Sequence, residues 1–212
     1  RKELAPMKPV FTAIATSLLL LGSATSYAAS TVDLTVKGLI VPSACTPNMD
    51  HGGIVDHGKI SAKDLHADSP TQIGTHVLIL GVTCDAPIQF ALHAIDNRAG
   101  SSPTAAQFGL GLINGTQKLG WFGLTLRNAV ADGIPMQPIA SADGGNTWYS
   151  EKFWNPGLYM AAATMDDATQ PASIQELVAE LVVETSIART DGLDLSNEVT
   201  LDGSATLEVK YL

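Results

Sequence analysis

The segment Ala205-Thr206-Leu207-Glu208-Val209-Lys210-Tyr211-Leu212 decides the fold. Ala205, Leu207, Val209 and Tyr211 alternate with polar residues, the period-2 pattern of a strand with one apolar face. Working back along the chain, further strand-like runs lie at 32–41, 75–84, 88–95, 108–113, 120–128, 148–149, 157–164, 174–187 and 199–212. Turn chemistry separates most of them: Asn114-Gly115, Asp132-Gly133, Asp143-Gly144-Gly145-Asn146, Asn155-Pro156-Gly157, Asp191-Gly192 and Asp202-Gly203. The run from Gly109 to Thr116 reads as a hairpin closed by a two-residue Asn-Gly turn. Many short strands with such turns predict an all-β sandwich or barrel.

One segment is ambiguous. Ile174, Leu177, Val178, Leu181 and Val182 are at helical spacing, while Leu177, Ala179, Leu181, Val183 and Thr185 are at strand spacing. The run Leu181-Val182-Val183 and the all-β context favour strand. A helical turn is expected within 61–66, and a loop over 164–173.

The N-terminus reads as an export signal. Lys8 supplies a positive charge, residues 10–21 form an apolar run, and Ser26-Tyr27-Ala28 offers small residues for cleavage after Ala28. Met7 is the expected start and residues 1–6 an upstream extension. The apolar run falls short of the roughly 18–20 residues that span a bilayer, which favours a cleaved leader over an anchor. The organisation expected is a leader over 1–28, an N-terminal extension over 29–37 and a single β-domain over 38–212. The expected location is outside the cytoplasm.

The whole chain carries a formal net charge of −9. The leader holds three basic residues and one acidic one, so its removal leaves −11. Such a surface argues against nucleic acid and anionic membranes as partners, since both require basic patches. Cys45 and Cys84 are the only cysteines, and in an exported chain they read as one disulfide. Closing a loop of about 40 residues is worth about 4 kcal/mol in the chain-entropy model.

Catalytic signatures are missing: the sequence holds no GxSxG, no HExxH and no P-loop. Gly109-x-Gly111-x-x-x-Gly115 misses the dinucleotide spacing and leads into a turn where a helix is required. Asp50, His51, Asp56 and His57 could ligate a metal if their loop folded them together, but short His/Asp/Gly runs are more often plain loops. No enzyme activity, cofactor or metal is expected. Trp148, Tyr149, Phe153, Trp154 and Tyr159 lie close in sequence. Such aromatics are core residues or, with Trp148, Tyr149 and Trp154 exposed, a platform on which a sugar stacks.

Several of these segments together resemble the subunits of chaperone–usher pili. Val32, Leu34 and Val36 alternate ahead of Gly38-Leu39-Ile40-Val41-Pro42-Ser43-Ala44-Cys45. Gly53-Ile54-Val55-Asp56-His57-Gly58-Lys59-Ile60 follows, then Leu78-Ile79-Leu80-Gly81-Val82-Thr83-Cys84, and the chain closes on a strand with Tyr211 in the penultimate position. The pattern looks closest to a fimbria-like branch of enteric bacteria and pseudomonads. The resemblance implies an immunoglobulin-like, pilin-type sandwich lacking its final strand. It implies a structural subunit of a fimbria or fimbria-like fibre, assembled by donor-strand exchange and supporting adhesion. Val32, Leu34 and Val36 would be the donor strand, and Ala205, Leu207, Val209, Tyr211 and Leu212 the strand read by a periplasmic immunoglobulin-like chaperone. An outer-membrane usher and other subunits would be the further partners, and the route would run through the periplasm to the cell surface. The alternative is a non-polymerising periplasmic or surface sandwich that binds a glycan or small ligand through its aromatic cluster.

Overall fold

Fourteen strands account for most of the chain from Cys45 onward. In order they are β1 (Cys45–Met49), β2 (Thr71–Ile88), β3 (Phe90–Asp96), β4 (Phe108–Gly109), β5 (Leu112–Ile113), β6 (Gln117–Lys118) and β7 (Gly120–Ala131). They continue with β8 (Ile134–Pro135), β9 (Gln137–Ser141), β10 (Tyr149–Ser150), β11 (Phe153–Trp154), β12 (Tyr159–Ala163), β13 (Ile174–Ile187) and β14 (Ala205–Tyr211). The structure, a computed structural model, describes residues 35, 37, 38 and 44–212. Residues from 44 on fall in one unit of the chain, Ile40–Leu212. The leader, its cleavage site and Val32, Leu34 and Val36 lie outside the described residues. Among the described residues no helix is long and apolar enough to cross a membrane.

Two antiparallel sheets make a sandwich. The first has the order β1-β2-β13-β7-β11, with β4 and β8 also paired to β7; the second runs β10-β9-β12-β3-β14. In the lettering of the immunoglobulin sandwich, β1, β2, β13 and β7 follow the order A-B-E-D, and β3 and β14 are the C-F pair. The described residues include no strand on the outer edge of β14, where the last strand of that fold stands.

The central strand β13 resolves the ambiguity in the sequence. Leu177, Ala179, Leu181, Val183, Thr185 and Ile187 are all buried, which is strand alternation and not a helical stripe. The strand pairs β2 on one side and β7 on the other, so both its edges are satisfied. β7 begins with the same alternation, Gly120, Phe122, Leu124 and Leu126 facing in, and then changes phase to Ala129 and Ala131. The cause is one extra residue opposite Ala179: Val178 pairs Val130 but Glu180 pairs Arg127. Asn128, with φ 52°, absorbs the bulge, and the apolar set stays inside despite the shift. Asp132-Gly133, both at positive φ, then close a two-residue hairpin from Ala131 to Ile134.

The core between the sheets is built from Leu78, Leu80 and Val82 of β2, Leu92 of β3, Leu126 of β7, Trp154 of β11 and Met160 of β12. Each such side chain contributes roughly 1.5–3 kcal/mol by leaving water. Cys45 and Cys84 are paired residues of β1 and β2 and form the disulfide, with Cα atoms 4.0 Å apart.

Several expected boundaries differ. The strand expected over 108–113 breaks into β4 and β5, and the Asn114-Gly115 turn sits in a three-residue connection, since Ile113 pairs Gln117. The strand expected over 199–212 starts only at Ala205. The helical turn expected within 61–66 is a 3-10 turn at Ala62–Asp64.

Candidate functional site: an open groove between the sheet edges

β1 and β14 are the edge strands of their sheets and lie on the same side of the sandwich. On β14, Ala205, Leu207, Val209 and Tyr211 stand opposite Asp96, Ala94, Leu92 and Phe90 of β3. The first three pack on the core, as the alternation requires, while Thr206, Glu208 and Lys210 take the other face. None of the four inward residues is fully buried, although Phe90, Leu92 and Ala94 of β3 beside three of them are. The reason is a cleft that opens along this side.

The cleft has two continuous sections. The first, of about 250 Å³, lies between Met49 and Leu207, over a floor that includes Leu78, Phe122, Leu124, Leu181 and Val183. The second, of about 530 Å³, runs between residues 55–65 and 195–201, over Leu119 and Ile187. Val55, His57 and Leu201 line both sections. Leu193, Leu195, Val199 and Leu201 place alternate residues against the core without forming a strand. The groove is therefore apolar in its floor and polar at its far rim, where Asp56, Lys59 and Glu198 stand.

One end of the groove is tied. The Cys45 backbone N–H donates to the Tyr211 hydroxyl at 2.8 Å, linking β1 to β14. The penultimate tyrosine thus reaches across from one sheet edge to the other, next to the disulfide. Beyond it, the Leu212 N–H donates to the Gln89 carbonyl at 3.3 Å. On the outward face, Glu208 bonds Lys210 at 2.7 Å and stands 3.7 Å from His93. The Lys210 hydrogen bond holds the Glu208 carboxyl below its ordinary range. The Glu208–Lys210 pair is partly exposed, and such pairs add little stability.

His57 gives the groove wall a pH dependence. Its ring meets His76 edge to face at 4.9 Å. Burial and then the neighbouring His76 lower its pKa, with Asp56 opposing. A histidine whose folded pKa is lowered leaves the unfolded chain binding more protons below about pH 6.5, so acid favours unfolding. The His57 contribution is complete above that pH, and falls as pH drops from there toward the lowered folded value. We expect the urea midpoint to fall on going from neutral pH to mildly acidic pH. His57→Gln should flatten that fall, and an identical pH profile in the variant would refute the assignment.

The three aromatics named as a sugar platform do not form one. Trp154 is 1% exposed in the core of the first sheet, its indole N–H donating to the Leu158 carbonyl. Trp148 donates to the Gly145 carbonyl and packs on a small apolar cluster of the second sheet. Only Tyr149 is exposed. Among the described residues no three His, Cys, Asp or Glu side chains are grouped to hold a metal ion; Asp50 instead accepts the Ile79 backbone N–H.

Residues 34–108 match the family described as "Protein of unknown function (DUF1120)". That span holds both cysteines, β1 to β3 and the 55–65 wall of the groove. Two curated proteins of Escherichia coli (strain K12) are similar along nearly the whole chain. The uncharacterized protein YhcF is 27% identical over 92% of this chain and 98% of its own length. Protein GltF is 24% identical over 90% of this chain and 92% of its own. The likeness to both relatives covers far more of the chain than residues 34–108, which the family matches.

Proposed function

We propose that the chain is a structural subunit of a chaperone–usher fimbria or fimbria-like surface fibre. The supporting observation is the apolar groove beside an unpaired strand edge, in a sandwich of A-B-E-D and C-F order. An open apolar groove next to unpaired backbone groups is an aggregation hazard unless a strand fills it. In this reading an exported precursor loses its leader, and a periplasmic immunoglobulin-like chaperone lends the missing strand. At the outer-membrane usher, Val32, Leu34 and Val36 of the next subunit replace it. Main-chain hydrogen bonds along β14 give affinity, and alternating side chains entering the floor give register. Each subunit donates at one end and accepts at the other, so the contact is heterologous and the product a fibre. Adhesion would follow from the fibre. The reading assigns the chain no catalysis, no cofactor and no nucleic-acid partner.

The test is co-expression with an immunoglobulin-like periplasmic chaperone, followed by co-purification and polymer analysis. Leu34→Asp would carry an unpaired charge into the groove of the neighbouring subunit, which is strongly unfavourable. The variant is expected to form the chaperone complex and to lose polymer. An unchanged polymer yield, or an intact protein recovered from the periplasm as a stable monomer with no chaperone bound, would remove the proposal.

A further inference from the structure

A second concave site lies on the outward face of the first sheet, away from the groove. Here β7 turns Trp121, Gly123 and Thr125 outward in succession. Ser186 and Glu184 of β13 stand opposite Trp121 and Gly123, Gln72 of β2 stands opposite Ser186, and Phe153 of β11 stands opposite Thr125. Gly123 is the one position of this patch without a side chain, and a Cβ there would lie 2.5 Å from Gln107 Oε1. The bare backbone thus makes a floor over which the Gln107 amide reaches. The result is a depression of about 180 Å³ whose lining includes Trp121 and Phe153, with Gln72, Gln107, Asn155 and Glu184 around them.

Two properties set its chemistry. Its polar groups are amides, hydroxyls and one carboxylate, with no Lys, Arg or His in the lining. Apart from the Gln72 amide, which bonds Thr75 at 2.9 Å, these side chains and the Trp121 indole N–H have no hydrogen-bond partner among the described residues. Unlike the neighbouring Trp154, Phe153 is 53% exposed; Lys152 stands 5.2 Å from its ring centre but is not part of the lining. Aromatic rings beside free amides and a carboxylate suit a ligand with an apolar ring face and a girdle of hydroxyls. Amides both donate to and accept from hydroxyls, and a carboxylate accepts from them.

We propose that this depression, centred on Gly123 between Trp121 and Phe153, binds a neutral hexose-type sugar residue. Sugars bearing carboxylate, sulfate or phosphate are disfavoured, because Glu184 and the net charge of −9 repel them and no cation in the lining offsets this. The site shares only Leu124 with the groove lining, so a sugar bound here would be carried by each copy whatever occupies the groove. It does not rest on the fibre proposal.

Saturation-transfer-difference NMR on the folded, disulfide-bonded protein tests it. The probes are the methyl glycosides of glucose, galactose and mannose, with the methyl glycoside of N-acetylneuraminic acid for contrast. Transfer to at least one neutral glycoside is expected, and none to the sialoside. Gly123→Val fills the floor with a residue that strands favour, and Trp121→Ala removes a ring; each should weaken binding by about tenfold or more. Trp148→Ala, on the other sheet, should leave binding unchanged. Urea midpoints show which variants remain folded, and if Gly123→Val does not, Trp121→Ala alone decides. No transfer from any neutral glycoside, transfer that survives in the folded variants, or preference for the sialoside would each overturn the proposal.

Discussion

Replacing Cys45 and Cys84 together by alanine is expected to lower the free energy of unfolding by about 4 kcal/mol, the loop-closure term for cysteines this far apart. Their separation is 39 residues. That loss is a large share of the roughly 5–15 kcal/mol that holds a domain folded. The local consequence should be larger than the global one. The residues of β1 are half-buried or exposed, so the strand gains little from apolar burial. It is held by its ladder to β2, the disulfide and the bond from Cys45 to Tyr211. Without the bridge, β1 should fray, and the edge of the groove that it forms should fray with it. Urea unfolding of the oxidised protein and the double variant measures the global effect, and amide exchange of residues 45–49 the local one. A midpoint unchanged by the substitution would contradict the first expectation, and unchanged exchange at residues 45–49 the second.

Deleting Lys210, Tyr211 and Leu212 should abolish the chaperone complex of the proposed fibre subunit and expose the exported chain to proteolysis. The deletion removes two of the seven β14–β3 pairs, Lys210 with Ala91 and Tyr211 with Phe90. It also removes the hydroxyl that receives the Cys45 N–H. In the proposed mechanism it also takes away part of the strand along which a chaperone would pair. Tyr211→Phe keeps the ring and the strand, loses only the hydroxyl, and should give a milder phenotype. Recovery of a stable, monomeric truncated protein, with no chaperone dependence in the intact chain, would favour a non-polymerising sandwich.

The elements legible in the sequence were those whose pattern is set by burial on one face. The inward series of β13 and β14 could be read directly, because a strand between two sheets or at a groove shows its period in its apolar residues. β1 could not, since Cys45-Thr46-Pro47-Asn48-Met49 has no alternation and takes its identity from pairing with β2. β9 was missed for a related reason: it contains Pro138, and its buried Ile139, Ala140 and Ser141 are consecutive. The aromatic cluster was misleading because nearness in sequence is not nearness on a face. The chain leaves the second sheet after Ser150 and joins the first at Phe153, so Trp148 and Trp154 belong to different layers. The distant groove wall left a trace in Leu193, Leu195, Val199 and Leu201, but an alternation without ladder partners reads as a strand. The depression around Gly123 carries no sequence signal, because it draws on β2, β7, β11, β13 and the approach to β4.

The tie between Cys45 and Tyr211 makes the groove a blind alley. Both of its sections lie on the Met49 and Leu207 side of that bond, so in the proposed fibre an added strand would have a fixed stop at one end and an open mouth at the other. A slip of one residue would turn every floor-facing side chain to solvent, and a slip of two would drive the leading residue against the tyrosine. In the proposed fibre the hydroxyl would work as the zero mark of a ruler. It would fix how many residues an incoming segment can seat, and so which segments are long enough to fill the slot and which leave part of the floor wet.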